Sequence, residues 1–145
     1  MNLKRKIILP LALLFVFAVL FTVESLTYEE FFDNYLEKKV KLLNNDVTDL
    51  GQLVDSWRNG KMTRTEATAR VKVIESRAES YTTGMLKLIP PEGEFEYYRQ
   101  AVGNFSTWVN VVGLYGEGIT EESRTKLEAA SVLMKYYREK LSLDK

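Results

Sequence analysis

Residues 32–57 read FDNYLEKKVKLLNNDVTDLGQLVDSW, and this stretch decides the fold. Its apolar and aromatic side chains recur in steps of four and three residues, at Phe32, Leu36, Val40, Leu43, Val47, Leu50, Val54 and Trp57. That spacing places them on one stripe along a long α-helix. Because a lone amphipathic helix is not stable in water, the stripe requires partner helices from the same chain.

The ends of this first helix are predicted from capping residues. Thr27 is a candidate N-cap, and Glu30 three residues later completes a capping box. The helix is predicted to end near Arg58, because Asn59 and Gly60 both tolerate the left-handed backbone conformation that follows many helices.

A second helix is predicted to begin at Thr63, where Glu66 completes another capping box. It is expected to continue until Pro90-Pro91, since a helix does not pass through that pair. Its apolar stripe comprises Ala67, Val71, Ile74, Ala78, Tyr81, Met85 and Leu88. The link from the first helix is only about four residues, so the two helices should be antiparallel.

Two further helices follow in the C-terminal half. The third is predicted to start at Glu92–Glu94, and its stripe comprises Phe95, Tyr98, Val102, Phe105, Val109 and Val112, widened by Trp108, Val111 and Leu114. Glycines are expected to end it at the next turn: Gly113, Gly116 and Gly118. The fourth is predicted to be capped by Thr120, with the stripe Leu127, Ala130, Met134, Tyr137 and Leu141.

These patterns predict an all-α protein, an up-down-up-down four-helix bundle preceded by an N-terminal transmembrane or signal helix. A long three-helix arrangement is the alternative if the glycines near residue 116 do not reverse the chain.

The N-terminal segment predicts delivery to a membrane. Ile7–Val23 carries no charge, and Lys4, Arg5 and Lys6 precede it. The basic flank should stay in the cytoplasm, which puts the following residues outside. Two interpretations remain open: a single-pass anchor in the cell membrane, or a secretory signal that is removed so that the protein is secreted. Either way we predict a segment at residues 1–24 and an extracytoplasmic helical bundle at residues 25–145.

Composition excludes several functions. The sequence contains no cysteine and no histidine, so disulfides, thiolate chemistry and Cys- or His-ligated metal sites are absent. The 20 basic and 20 acidic residues balance overall, and the basic N-terminal triplet leaves the rest mildly acidic. That charge argues against nucleic-acid binding. We therefore expect a non-enzymatic protein with no catalytic residues, no metal and no cofactor.

The aromatic residues supply the candidate sites. In the pairs Tyr97-Tyr98 and Tyr136-Tyr137, both rings cannot face the centre of the core. The candidate interaction surface, for an unknown protein partner, is therefore Tyr97, Tyr136 and Trp108. A candidate ligand pocket between the helices would be lined by Tyr81, Tyr98, Phe105 and Tyr137.

The chain resembles small bacterial envelope proteins in which a signal or anchor precedes a helical bundle with a Pro-Pro turn before a Tyr-rich helix. Pro90-Pro91 and Tyr97-Tyr98 carry this resemblance. It implies a place in the cell envelope and no particular activity. The first functional hypothesis is an extracytoplasmic interaction or structural module, and the alternative is a small-ligand sensor or carrier.

Overall fold

The computed structural model describes the side chains of residues 28–139 and contains four α-helices. They are α1 (Leu3–Arg58), α2 (Arg64–Met85), α3 (Phe95–Thr120) and α4 (Arg124–Leu143). The all-α prediction is confirmed. The side chains of the predicted anchor or signal Ile7–Val23 lie outside the described residues. Among the described residues, no helix has the length and apolar content needed to cross a bilayer.

The chain divides into two compact units, residues 1–35 and residues 36–145. In the first unit, the described residues belong to α1, and the Phe31 ring lies 6.3 Å from the ring of Tyr28 and 6.0 Å from that of Tyr35. The second unit contains the remainder of α1 and all of α2, α3 and α4.

Within the second unit the helices pack in chain order, α1 on α2, α2 on α3 and α3 on α4. Contacts between α1 and α4 also occur, since Arg58 Nη2 lies 3.4 Å from Ser131 Oγ. The result is a four-helix bundle. The three-helix alternative is wrong, because residues 121–123 separate α3 from α4.

The predicted stripes of α1 and α2 are largely confirmed as the core. On α1 the buried members are Phe32, Leu36, Leu43, Val47, Leu50 and Val54. The other two, Val40 and Trp57, are half-buried. On α2 the buried residues are Ala67, Val71, Ile74, Ala78, Tyr81 and Met85. Both stripes separate apolar from polar side chains clearly, so their buried faces could be derived from spacing alone.

The buried face of α3 differs from the predicted stripe. Phe95 is exposed, and Tyr98, Val102 and Val109 are only half-buried. The residues that are buried instead are Ala101, Phe105, Trp108, Val111, Val112, Tyr115, Gly118 and Ile119. The error arises because α3 carries apolar side chains around much of its circumference, and small residues such as Ala101 complete the face that packs.

The N-terminus of α2 is capped as predicted. Thr63 Oγ1 accepts a hydrogen bond from the backbone N–H of Glu66 (3.3 Å), and Thr63 N–H donates to Glu66 Oε2 (2.9 Å). This backbone bond, with a second from the Thr63 hydroxyl, lowers the pKa of the Glu66 carboxyl. The capping box with an ionised Glu66 therefore stabilises the fold at pH values above the ordinary pKa of glutamate. That contribution is lost as the pH falls through the lowered pKa of Glu66. The first helix begins at Leu3, and the side chain of Thr27, its predicted cap, lies outside the described residues.

Helix α2 ends at Met85, five residues before the prolines that were expected to stop it. Gly84 weakens the last turn, because glycine loses the most backbone entropy in a helix. The hydroxyl of Tyr98 donates a hydrogen bond to the Met85 carbonyl (2.9 Å), which satisfies a terminal acceptor of α2. A residue of α3 thus fixes the C-terminal end of α2.

The predicted turn at Gly113, Gly116 and Gly118 is wrong, because α3 continues through all three glycines to Thr120. The reversal occurs at Glu121–Ser123 instead, where Glu122 has a φ of 53°. There the N–H of Ser123 donates to the Gly118 carbonyl (2.9 Å), as in the left-handed ends of many helices. Thr120 does not cap α4, and its hydroxyl donates to the Gly116 carbonyl (2.7 Å).

The three glycines serve close helix packing. A Cβ at Gly113 would lie 3.6 Å from Glu75 Oε1 and one at Gly116 would lie 3.2 Å from Val71 Cγ1, so both face α2. A Cβ at Gly118 would lie 2.8 Å from Leu127 Cγ and 3.2 Å from the Leu127 backbone nitrogen, on the α4 side. Without a side chain at these positions, α3 approaches both neighbours.

Gly118→Ala is expected to lower the free energy of unfolding by about 1–2 kcal/mol. The clash with the Leu127 side chain, together with the tight contact to its backbone nitrogen, costs about 1–3 kcal/mol, and the gain in helix propensity offsets up to about 1 kcal/mol of it. Gly103→Ala is the matched control, because a Cβ there meets nothing within 4 Å. Chemical denaturation should show Gly103→Ala to be stabilising and Gly118→Ala destabilising; the same sign for both would contradict the packing role.

Candidate functional site

The three residues of the candidate interaction surface occupy different environments. Tyr97 is 48% exposed in the first turn of α3, and Tyr136 is 59% exposed on α4. Trp108 is fully buried, so its predicted exposure is wrong. It lies three residues after Phe105 and four before Val112, both buried, and therefore on the packed face of α3.

The two exposed tyrosines lie apart along the bundle. Tyr137 packs on Trp108, which places its neighbour Tyr136 near the level of Trp108. Tyr97 precedes Trp108 by eleven residues, or about 16 Å along the axis of α3. Tyr97 and Tyr136 are therefore two separate exposed residues and not one patch.

The four candidate pocket residues are engaged in packing. Tyr81, Phe105 and Tyr137 are buried, and Tyr98 is half-buried with its hydroxyl on the Met85 carbonyl. The rings of Tyr81 and Phe105 meet edge to face at 6.3 Å, and those of Tyr137 and Trp108 lie 5.5 Å apart. These contacts place the aromatic faces in the core, where ring pairs contribute stability beyond the area that they bury.

Two polar atoms in this aromatic core lack hydrogen-bond partners among the described residues: Trp108 Nε1 and Tyr137 Oη. Burial raises the pKa of the Tyr137 hydroxyl, which stays protonated in the fold. A buried donor without an acceptor costs stability, so these two groups lower the stability of this part of the core.

Sequence reasoning missed a buried ion pair between α1 and α2. Asp46 is the one buried charged residue among those described. Its Oδ1 lies 2.7 Å from Arg77 Nη2, and the same nitrogen lies 3.5 Å from Asp49 Oδ2. The signal was present, because Asp46 falls three residues after Leu43 and four before Leu50, on the buried face itself.

The ion pair between Asp46 and Arg77 does not use all of its hydrogen-bonding groups. Asp46 Oδ2 and Arg77 Nε are buried, and neither has a hydrogen-bond partner among the described residues. Burial raises the pKa of Asp46; Arg77 opposes this shift, and Asp49 adds to it. Burial also raises the pKa of Tyr81, with a further contribution from the charge of Asp46.

Arg77 also lines an open groove of about 400 Å³ between α1 and α2. The other lining residues are Asp49, Gln52, Leu53, Ser56, Met62, Arg70, Val73 and Ile74. Arg70 and Arg77 lie beside apolar walls and could hold a carboxylate or a phosphate, since arginine binds such anions through paired N–H groups. Arg77 would share its guanidinium group with Asp46 and Asp49. Across residues 28–139, no cluster of three acidic side chains is arranged to hold a metal ion.

The architecture defines an all-α, four-helix domain. Comparisons with protein-family models, curated proteins and solved structures found no match to this chain.

Proposed function

We propose that this chain is a non-enzymatic interaction or structural module of the bacterial cell envelope. In this proposal Ile7–Val23 carries the chain to the cell membrane, as a single-pass anchor or as a signal that is removed. The remainder is an up-down-up-down bundle outside the cytoplasm that binds a protein partner. The sequence supports a non-enzymatic role, because it lacks the histidine and cysteine side chains on which most acid–base and nucleophilic catalysis relies.

The observation that carries this proposal is the exposure of Tyr97 and Tyr136 on a bundle that buries Phe105, Trp108 and Tyr137. Aromatic residues are enriched at protein interfaces because they bury a large area and keep a polar group for a hydrogen bond.

Tyr97→Ala and Tyr136→Ala are expected to change the free energy of unfolding by about 0.5 kcal/mol or less, since both side chains are exposed. Each variant should nevertheless lose a protein that cross-links to the wild-type chain in intact cells. Val73→Ala, on the exposed side of α2, is the matched control and should keep that partner. Retention of the partner by both tyrosine variants would contradict the proposal.

The location has its own test. A reporter fused to the C-terminus should be active outside the cytoplasm, and immunoblots of membrane and medium should separate an anchored chain from a cleaved one. A cytosolic reporter would exclude the envelope role.

The alternative function is a small-ligand sensor or carrier. The groove between α1 and α2 favours it, because Arg70 and Arg77 are placed there beside Ile74 and Val73. This differs from the pocket predicted around Tyr81 and Tyr137. A ligand that binds only the folded state raises the melting temperature, so a thermal-shift screen of small carboxylates and phosphate esters tests this alternative.

A further inference from the structure

We infer that the α2–α3 connection and the first turn of α3 together dock a protein segment that carries lysine or arginine beside apolar side chains. The docking residues, here called the loop surface, are Leu86, Ile89, Phe95 and Tyr97. This inference rests on the proposed function and names the chemistry of the partner.

The first observation is a concentration of exposed apolar side chains. Leu86 is 62% exposed, Ile89 76% and Phe95 60%, and Tyr97 follows two residues later. Four large apolar residues are thus exposed within a span of twelve. Single exposed apolar residues are ordinary on a soluble surface, whereas this density of them along one short segment points to a binding site.

The second observation is that the connection is held in shape. The N–H of Leu88 donates to the Met85 carbonyl (2.9 Å), and the N–H of Glu94 donates to the Pro91 carbonyl (3.1 Å). The Tyr98 hydroxyl binds the same Met85 carbonyl from α3. Proline at positions 90 and 91 further restricts the backbone. A preformed surface loses less conformational entropy on binding, so a larger share of the free energy of its apolar contacts contributes to affinity.

The third observation is the charge around these side chains, and it selects the occupant. Between Leu86 and Tyr97 there are three acidic residues, Glu92, Glu94 and Glu96, and one basic residue, Lys87; Arg99 lies just beyond this span. Glu96 is paired with Arg99, Oε2 to Nη2 at 2.8 Å, and both side chains stay mostly exposed. A partner with basic residues beside its apolar anchors is complementary to this surface.

The same charge disfavours two other occupants. An anionic lipid surface attracts basic segments and would repel these glutamates. A second copy of the chain, docked symmetrically through the same patch, would bring the acidic groups of both copies together. The structure therefore favours a cationic, apolar protein segment.

The test uses the full chain in cells of the source organism. A photoreactive benzoylphenylalanine replaces Ile89, and a matched probe replaces the exposed Val73 on α2. After irradiation, mass spectrometry identifies the cross-linked molecule and the residues around the attachment point. We expect the probe at 89, and not the one at 73, to attach to a protein segment containing lysine or arginine next to apolar residues.

Charge reversal tests complementarity in the same cells. Glu92→Lys with Glu94→Lys should reduce the cross-link from position 89 at least about tenfold, because like charges across an interface cost several kcal/mol. Glu79→Lys with Glu128→Lys is the matched control on exposed positions elsewhere and should leave the yield unchanged. Circular dichroism confirms that each variant is folded.

Several outcomes would overturn the inference: a cross-link to lipid, to a second copy, or to a segment without basic residues, or a yield that charge reversal leaves unchanged. A protein partner captured from a probe at 136 but not from 89 would overturn the inference and keep the proposed function. If probes at 89, 97 and 136 capture no protein, both fail.

Discussion

Trp108→Ala is expected to lower the free energy of unfolding by about 3–5 kcal/mol. Trp108 has no exposed surface, and its ring packs against that of Tyr137 at 5.5 Å. Truncation removes the largest fully buried side chain in the described core and leaves a cavity beside Tyr137 that rigid helices fill poorly. Urea denaturation followed by circular dichroism measures the loss.

Val132→Ala is the control for this prediction, because Val132 is an exposed apolar residue on α4. Its effect should stay within about 0.5 kcal/mol. If Trp108→Ala had an equally small effect, the assignment of the buried face of α3 would be wrong, and Trp108 would return to the candidate interaction surface.

Arg77→Met is expected to lower the free energy of unfolding by about 3 kcal/mol at neutral pH. It leaves the Asp46 carboxylate, whose side chain is only 3% exposed, in the α1–α2 contact without a cation. Asp46→Asn should cost about 1 kcal/mol or less, because the Arg77 side chain is 42% exposed and can regain water. The amide oxygen can also still accept from the guanidinium.

The double variant Asp46→Asn with Arg77→Met completes a thermodynamic cycle. It should recover most of the stability that Arg77→Met loses, because no charge is then buried alone. If the two single changes were simply additive, the pair would not be coupled, and the contact between Asp46 and Arg77 would carry no special energy.

The pH dependence follows from the raised pKa of Asp46. A carboxyl whose pKa is higher in the fold than in the unfolded chain stabilises the fold while it is protonated. That contribution is complete below its ordinary value of 3.8 and is lost as the pH rises through the folded pKa. Asp46→Asn should therefore gain stability relative to wild type as the pH rises through that window. Arg77→Met should be least damaging in acid, and denaturation at several pH values measures both trends.

How far the sequence predicts the fold depends on the contrast between the faces of each helix. Leu36, Leu43 and Leu50 on α1 are separated by mostly polar residues, so spacing alone identifies the buried side. On α3 apolar residues occur on several faces, and spacing could not exclude Phe95 or include Ala101. The four helices were thus predictable, whereas the rotation of α3 depended on its neighbours.

Gly118 and Asp46 show the same limit of prediction from sequence, because their roles depend on residues of other helices. Gly118 reads as a turn signal in sequence, and only the approach of Leu127 shows that it serves helix packing. The spacing of Asp46 puts it on the buried face of α1, but only the structure shows that Arg77 on another helix lies within 2.7 Å of it. Of the candidate site residues, Tyr97 and Tyr136 are exposed as the paired-aromatic argument required, and Trp108 is not.

The order of helix packing has a consequence for folding kinetics. The connections between helices contain five, nine and three residues, and each helix packs on the next one along the chain. Proteins built mainly from such local contacts fold in microseconds to milliseconds, because little loop-closure entropy is lost before contacts form. During synthesis the α1–α2 pair can assemble before α4 exists, whereas the contact of Arg58 with Ser131 and the packing of α3 on α4 must await the last helix.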